Sequence, residues 1–480
     1  MAPEASGSTD TPPPLQAGEV APSVMDIGAA CKHPSRQLMS HGSNNLRPDH
    51  GPQHSGAGHR LTTAGGLSPA PILTTETPTM NPLICPYAPG AGASPPELAG
   101  RDTLLESARI ATARVRLGRQ AKGLVMIGPH GAGKTVLLDR MRSDLEQDGI
   151  HTVGMTAAPG CSLAAMLVPG LHRALQGLTQ GGHDPAPGKR ALCALAGFVT
   201  GLKASYGDID IHLDASPEPG LADNGDLEHD LQVLLQLAGS AAQTAGTALV
   251  LLVDQMHEME DNQLGALIGA LHHCGQQRVP VTLIATGLPS LPGRMGQVRS
   301  YAERQFDFPV LGALDDDAAR NALVAPARRL GVEFPPEAIQ KILVATQCYP
   351  YFLQMWGKHC WSVAQASPIS SEDVETASAA ATADLDAYFF SVHLEELTAA
   401  EKAYLNAMAQ LGPGPHRSEE IAVALGWDVT CLDATRARLI AKGMAWRVHD
   451  GDIDFAMPLL DAYLRRISQP GDGARQPGAR

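Results

Sequence analysis

The 480-residue chain is poor in aromatic residues, in positive charge and in long apolar runs. Aromatic residues make up 4% of it and the formal net charge is −14, so non-specific nucleic-acid binding is not the expected activity. No apolar run reaches the length that crosses a bilayer. The amino terminus lacks the basic and then apolar pattern of a secretory signal. We therefore expect no membrane partner.

The cysteines lack the spacing of a metal or redox site. All eight are scattered, no C-x-x-C occurs, and none pairs with histidines at zinc spacing. This pattern predicts reduced, mostly structural thiols and a cytoplasmic protein. The chain does contain 44% hydrophobic residues, at a length that allows two or three domains. Because alanine and leucine are plentiful, we expect helices packed on a sheet rich in valine and leucine.

The most informative segment is the stretch 128–135, which matches the phosphate-binding pattern G-x-x-x-x-G-K-[ST]. Its residues are Gly128, Pro129, His130, Gly131, Ala132, Gly133, Lys134 and Thr135. An apolar run at 124–127 precedes it and a helical run at 136–141 follows, which is the context that a phosphate loop needs. The loop N–H groups and Lys134 would hold the phosphates of ATP, and the Thr135 hydroxyl would ligate Mg²⁺.

The order of elements predicts an α/β fold class. Strands are predicted at 124–127, 152–156, 248–253, 281–286 and 306–310, and helices at 102–119, 163–203, 231–244 and 261–276. Strands that alternate with helices form parallel, doubly wound sheets. We therefore assign residues 81–312 to a P-loop ATP-binding domain.

Beyond residue 314 the apolar spacing becomes wholly helical. Helices are predicted at 315–330, 336–346, 350–366 and 371–387, so residues 313–392 are assigned to an all-α lid. Three further helices, at 398–411, 418–425 and 431–442, precede a hairpin that turns at Asp450 and Gly451. This is the layout of a winged helix-turn-helix, which we assign to residues 393–470. Residues 471–480 are expected to be a flexible tail.

Residues 1–80 are rich in Pro, Gly, Ser and Thr and have no helical or strand period. Such a composition buries too little surface to offset the loss of chain entropy, so we expect this segment to be disordered. Met80 stands where ordered-looking sequence begins. One hypothesis is that translation starts there, which mass spectrometry of the native amino terminus would test.

Three polar residues at strand ends are candidates for phosphate chemistry. Asp254 ends a buried strand and is expected to hold Mg²⁺ through water, the alternative being a helix cap. Thr286 ends the next strand and either senses the γ-phosphate or is a plain strand-end threonine. Arg304 precedes the fifth strand. It either reaches the phosphate of a neighbouring subunit as a finger or forms an ion pair with Glu303 or Asp307.

Residues 80–470 resemble AAA+ ATPases of the origin-recognition-like branch, with some similarity to STAND signalling ATPases. The resemblance rests on the lead-in at 86–102, the phosphate loop, Asp254, the segment 286–289, Arg304 and the segment 346–354. It implies an AAA+-like sheet domain, a helical lid and a winged helix. It also implies that Arg101 lies near the adenine. Pro350 either contacts the nucleotide or simply begins a lid helix.

Two residues depart from the family pattern. Gln255 stands where most such ATPases have the Glu that activates water, and Cys348 replaces a usual glycine. A neutral amide can hold water but cannot take its proton. Glu258, one turn later, can substitute for it, whereas His257 is expected to be structural. We therefore expect ATP binding with slow or absent hydrolysis.

The output of the predicted winged helix stays open between DNA and a protein partner. Arg436, Arg438 and Lys442 can follow phosphates. However, residues 391–470 contain eight Lys/Arg against eleven Asp/Glu, which is the opposite of the usual sign for a DNA-binding domain. The leading hypothesis is a nucleotide-dependent conformational switch. The alternatives are an ATP-bound DNA-binding regulator and an active oligomeric ATPase, which would be a homo-oligomer.

Overall fold

The computed structural model describes residues 80–90, 92–180, 183–206, 215–448 and 452–468. The predictions of a disordered segment before Met80, of the hairpin turn at Asp450 and Gly451, and of a flexible tail at 471–480 lie outside the described residues. None of the described helices is long and apolar enough to cross a membrane.

A five-stranded, all-parallel sheet forms the centre of the first half of the chain. Its strands are β1 Gly123–Ile127, β2 His151–Thr156, β3 Leu249–Asp254, β4 Val281–Gly287 and β5 Phe306–Asp307. They lie in the order β2-β3-β4-β1-β5. Every residue of β1, β3 and β4 is buried, which explains why these strands read as continuous apolar runs. The predicted parallel α/β sheet is confirmed, and β4 separates β1 from β3.

Helices cover both faces of the sheet. They are α1 Asp102–Arg116, α2 Lys134–Gln147, α3 Leu163–Gln180, α4 Ala186–Tyr206, α5 Leu227–Thr244, α6 Asp261–Gln277, α7 Leu291–Val298 and α8 Ala302–Gln305. The stretch 163–203, predicted to be helical, contains α3 and most of α4. The predicted fifth strand is shorter than expected, although the chain stays beside β1, where the Ile127 N–H donates to Pro309 O at 3.0 Å and Leu311 N–H donates to Ile127 O at 2.7 Å.

Four helices follow over the range that the sequence assigns to a lid, and we keep that name for them. They are α9 Asp316–Arg329, α10 Pro336–Thr346, α11 Pro350–Val363 and α12 Ser371–Leu385. The lead-in before α1 packs on this lid. Trp361 Nε1 donates to Asn81 O at 3.0 Å, and the buried Tyr87 hydroxyl donates to Leu323 O. The lead-in, which the sequence placed with the sheet domain, is thus fastened to lid helices α9 and α11.

The lid continues without a break into the last part of the chain. Helix α12 passes through a π-helical segment, Asp386–Phe390, directly into α13, Ser391–Glu395. The scarce aromatic residues concentrate here. Phe389 stacks on Tyr351 of the lid with ring centroids 5.0 Å apart, and Phe390 stacks on Tyr463 at 5.2 Å. All four tryptophans of the chain also lie beyond residue 350.

The C-terminal region, residues 391–468, is mainly helical. After α13 it contains α14 Ala399–Leu411, α15 Ser418–Leu425, α16 Val429–Ala441, β6 Ala445–Arg447, β7 Ile453–Phe455 and α17 Leu460–Ser468. Strands β6 and β7 pair antiparallel. Three helices and a two-stranded ladder thus follow in the predicted order, whereas α17 was not predicted. The region packs around Tyr404 and Leu464, which are buried.

Candidate functional site

The segment 128–135 forms a curled loop between β1 and α2. Gly131 and Gly133 have φ angles of 81° and 85°, which residues with a side chain rarely adopt. Helix α2 begins at Lys134, so the loop lies at the amino-terminal end of a helix. The free N–H groups there and the helix dipole attract anions such as phosphate.

Lys134 is turned back onto the loop. Its Nζ donates to Gly128 O and to Pro129 O, each at 2.7 Å. Burial lowers the pKa of Lys134 to about 8, although the charge of Asp254 opposes this shift. A partly desolvated ammonium with only carbonyl partners would gain by meeting the charge of a phosphate.

Asp254 connects the phosphate loop with the end of β4. Thr135 Oγ1 donates to Asp254 Oδ2 at 2.9 Å, and Thr286 Oγ1 donates to Asp254 Oδ1 at 2.5 Å. The backbone N–H of Gln255 in turn donates to Thr286 Oγ1 at 3.0 Å. Thr135 and Thr286 thus bind the two different oxygens of the Asp254 carboxylate.

The chemistry of this oxygen cluster fits the magnesium that a P-loop fold implies. A hydroxyl and a carboxylate, from Thr135 and the largely buried Asp254, are the hard oxygen donors that Mg²⁺ prefers. When bound, Mg²⁺ would neutralise charge on the phosphates. The part of the chain that the structure describes contains no group of three or more His, Cys, Asp or Glu side chains that could hold a metal ion.

A cavity of about 440 Å³ opens beside the loop. Residues 130–136 of the loop and helix line it together with Asp254 and Gln255, with Arg101 of the lead-in and with Pro350 of the lid. Arg101 is anchored by a hydrogen bond of 2.8 Å from Nη2 to Gly312 O. Most of the predicted site residues therefore meet in one place.

The residues after Asp254 fold into a tight turn. Gln255 has a φ angle of 56°, lines the cavity and is exposed. A 3₁₀ turn, Met256–Glu258, follows. Glu258, which was predicted as a substitute base, does not line the cavity. Its Oε1 lies 3.1 Å from Nε2 of His257, and His257 does line it. His257 was predicted to be structural, because the sequence around it does not show which side of the turn faces the phosphate loop.

Arg304 lies away from this site. Its helix α8 precedes β5, whose Phe306 pairs with Gly123 at the amino-terminal end of β1, whereas the phosphate loop follows the carboxyl-terminal end. Arg304 is exposed and lines a second cavity of about 410 Å³. Within the described residues no ion pair joins it to Glu303 or Asp307. Asp307 instead accepts from Lys122 at 2.9 Å.

His130, the third residue of the loop, contacts the C-terminal region. Its ring lies 4.7 Å from that of His393, between centroids. Burial, then the charges of His393 and Lys134, lower the pKa of His130 to about 3. A Cβ on Gly443 would lie 3.3 Å from His130 Nε2 and 2.7 Å from Leu288 Cδ2. The loop motif specifies no residue at position 130, so this contact gave no sequence signal.

The basic residues predicted to track DNA are engaged within the C-terminal region. Arg438 Nε and Lys442 Nζ lie 3.0 and 2.9 Å from the carboxylate oxygens of Glu401, whose side chain has no exposed surface. Arg436 lies 2.9 Å from Asp433 and also donates to Ser418. Burial raises the pKa of Glu401, but hydrogen bonds from Lys442, the Thr398 backbone and Arg438 outweigh it and bring the pKa to about 2.

Comparison with known proteins bears on the fold of this chain. Residues 97–284 match a family model described as AAA ATPase domain, and residues 387–464 match one described as a domain of unknown function (DUF8462). The Walker-type ATPase PABY2304 of Pyrococcus abyssi has a similar structure, with a TM-score of 0.54 at 14% identity, over 77% of this chain and 96% of that one. No curated protein matches the chain.

Two further solved structures are similar at lower scores. Cdc6p from Pyrobaculum aerophilum has a TM-score of 0.39 at 15% identity, over 79% of this chain and 96% of that one. The RuvB Holliday junction branch migration motor of Thermotoga maritima has a TM-score of 0.37 at 15% identity, over 75% and 94%. The family match and the archaeal ATPase together identify a P-loop NTPase fold in the sheet domain, followed by a helical C-terminal region.

Proposed function

We propose that this protein binds Mg-ATP and uses it as a conformational ligand that stabilises a closed arrangement of its three parts. One observation carries the proposal. The cavity beside the phosphate loop is lined by the sheet domain, by Pro350 and Tyr351 of the lid, and by His393 of the C-terminal region. A ligand in this cavity would contact all three parts. It would therefore favour their closed arrangement by its differential affinity.

The roles follow from the contacts. Lys134 and the loop N–H groups would hold the phosphates, in exchange for the two carbonyl contacts of the Lys134 ammonium. Thr135 and Asp254 would hold Mg²⁺, and Thr286 would keep the Asp254 carboxylate oriented. Arg101 and Pro350 line the same cavity and would contact the nucleotide there.

Nucleotide titration tests the binding step. Wild-type protein is expected to bind Mg-ATP, and Lys134→Ala is expected to lose at least about tenfold in affinity, because a charge-assisted hydrogen bond contributes about 1.5–3 kcal/mol. Lys189→Ala, an exposed lysine of α4, is the matched control and should bind like the wild type. Equal affinity of Lys134→Ala and Lys189→Ala would exclude this site.

The contact at Gly443 tests the conformational step. Gly443 has a φ angle of 69° and packs on Leu288 and His130, whereas Gly426 has a φ angle of 65° with nothing within 4 Å. Both glycines follow a helix, so valine introduces similar backbone strain at each, but only Gly443→Val obstructs packing on the phosphate loop. We expect ATP to slow amide hydrogen exchange across 432–448 in the wild type and in Gly426→Val. Gly443→Val should bind ATP without that protection, and equal protection in all three proteins would refute the switch.

DNA binding through a winged helix is a weaker candidate. Glu401 holds Arg438 and Lys442, and turning these cations toward DNA would leave the buried Glu401 carboxylate without its charged partners, which is unfavourable. Gel shifts over a salt series would decide it. A preferred DNA sequence with a steep loss of affinity at higher salt would support the DNA-binding regulator.

The oligomeric alternative has one observation in its favour. Arg304 is exposed at the end of the sheet opposite its own phosphate loop, so only the site of another copy is available to it as a finger. Light scattering with and without ATP, combined with the turnover of Arg304→Ala, would test this arrangement.

A further inference from the structure

We propose that His257 holds the water that attacks the γ-phosphate, with Glu258 fixing its ring. The proposal rests on the Mg-ATP binding proposed above and goes beyond it, because Gln255 stands where a catalytic carboxylate was expected. His257 would be the catalytic residue, since its ring would contact the reacting water. Glu258 would be a positioning residue that acts through the ring.

The position of His257 is the first argument. It lies in the 3₁₀ turn directly after β3, lines the same cavity as Lys134 and Asp254, and its side chain is only 11% exposed. The turn is anchored from outside. Arg294 Nη1 donates to His257 O at 2.6 Å, and Arg294 Nε donates to Asp261 Oδ1 at 2.6 Å. The backbone that carries the imidazole is therefore held firmly against α7.

The hydrogen bonds of the ring are the second argument. Burial, then the positive charge of Lys134, lower the pKa of His257 to about 4, so the ring is neutral at neutral pH. Nε2 lies 3.1 Å from Glu258 Oε1. Because an ionised carboxylate can only accept, Nε2 carries the proton and Nδ1 keeps the lone pair. Nδ1 is buried and has no hydrogen-bond partner among the described residues.

A buried hydrogen-bond acceptor such as Nδ1 of His257 is expected to have a donor. Leaving it unsatisfied costs about 1–3 kcal/mol, and such atoms in folded proteins are rare enough to need a reason. The His257 side chain lines the cavity, but Nδ1 itself has almost no exposed surface in this structure, so a small turn of the ring as ATP binds would bring it to a water that donates to Nδ1. Gln255 is less suited to hold this water, because Gln255 is exposed to solvent. Glu258 is also less suited, because it does not line the cavity.

Hydrolysis of ATP in this site needs no ionised base. The water oxygen forms a bond to the γ-phosphorus, and the bond from that phosphorus to the β–γ bridging oxygen breaks. ADP leaves with the electron pair, and the water proton ends on the inorganic phosphate. In a loose transition state, orientation of the water contributes more than early removal of its proton. His257 supplies that orientation, which is consistent with slow turnover.

Steady-state ATPase assays on the full chain test the proposal, with nucleotide affinity measured on the same samples. His257→Ala should lower kcat by at least about tenfold and leave KM and ATP affinity within about threefold. His257→Asn should recover part of the rate, because the amide oxygen can replace Nδ1. Glu258→Gln, which can still accept from Nε2, should fall less than Glu258→Ala.

The pair His359 and Asp384 gives a matched control. Its Nε2 to Oδ2 distance is 3.0 Å, its histidine is 16% exposed, and neither residue lines the cavity. His359→Ala should therefore keep the wild-type kcat. If His257→Ala keeps kcat within twofold, or falls no further than His359→Ala, the proposal is wrong. Wild-type protein that binds ATP but turns it over no faster than Lys134→Ala also overturns it, while leaving the proposed binding intact. Failure to bind ATP at all would refute the proposed function instead.

Discussion

Replacing Glu401 with Gln is expected to destabilise the C-terminal region, by an amount that follows from the structure. The Glu401 carboxylate is fully buried in the C-terminal region and accepts hydrogen bonds from Arg438 and Lys442. Its pKa is lowered from 4.5 to about 2. One pKa unit corresponds to about 1.4 kcal/mol, so this difference sets an upper limit of about 3 kcal/mol of stability at neutral pH; because Arg438 and Lys442 are partly exposed to solvent, we expect about 2 kcal/mol. Gln cannot replace the charge, and the two cations lose their partner.

The sign of the pH dependence is fixed by the direction of the shift. Because the folded pKa is the lower one, the contribution is complete above the unfolded pKa and is lost as pH falls through the folded pKa. The difference between wild type and Glu401→Gln should therefore be full at pH 7, fall to about half near pH 3 and nearly vanish at about pH 2.

Amide hydrogen exchange of α16 in the full chain is the suitable assay, because it reports local opening where global unfolding of several domains does not. Glu401→Gln should speed exchange there by about thirtyfold at pH 7. Glu419→Gln, an exposed residue of α15, should change it little. A difference below about twofold at pH 7, or one that grows toward acid, would show that the buried carboxylate does not stabilise the region.

Three further outcomes are expected. Gln255→Glu should raise kcat, because it adds an acceptor that can also take a proton beside Asp254; an unchanged kcat would show that position 255 cannot reach the water. Arg304→Ala should leave ATP affinity unchanged and lower kcat only at concentrations at which light scattering detects association. His130 and His257 have pKa values lowered from 6.5 to about 3 and about 4, so the unfolded chain binds protons first. Thermal unfolding should therefore occur at lower temperature as pH falls from 6.5 toward 4, and replacing both with Asn should weaken that trend.

The parts of the fold that depend on residues close together in the chain were predictable from the sequence. The phosphate loop needs only its own eight residues and the strand and helix beside them. Buried parallel strands such as β3 appear as continuous apolar runs, because both of their faces are covered. The convergence of Arg101 and Pro350 on the cavity was implied by a family resemblance rather than by spacing.

Features that depend on distant contacts were not predictable. The contact of His130 with His393 joins residues far apart in the chain, and the motif sets no requirement at position 130. The ion pair of Lys442 with Glu401 was not predictable either, since a sequence shows charges but not their partners.

The placement of the tryptophans has a practical consequence. Trp356 and Trp361 are buried in the lid, Trp427 and Trp446 belong to the C-terminal region, and the sheet domain contains none. Tryptophan emission of the unlabelled chain therefore does not arise from the nucleotide-binding half and reports only on the two parts that would move. A stopped-flow trace recorded on mixing with ATP could thus follow their rearrangement in real time, without an attached dye.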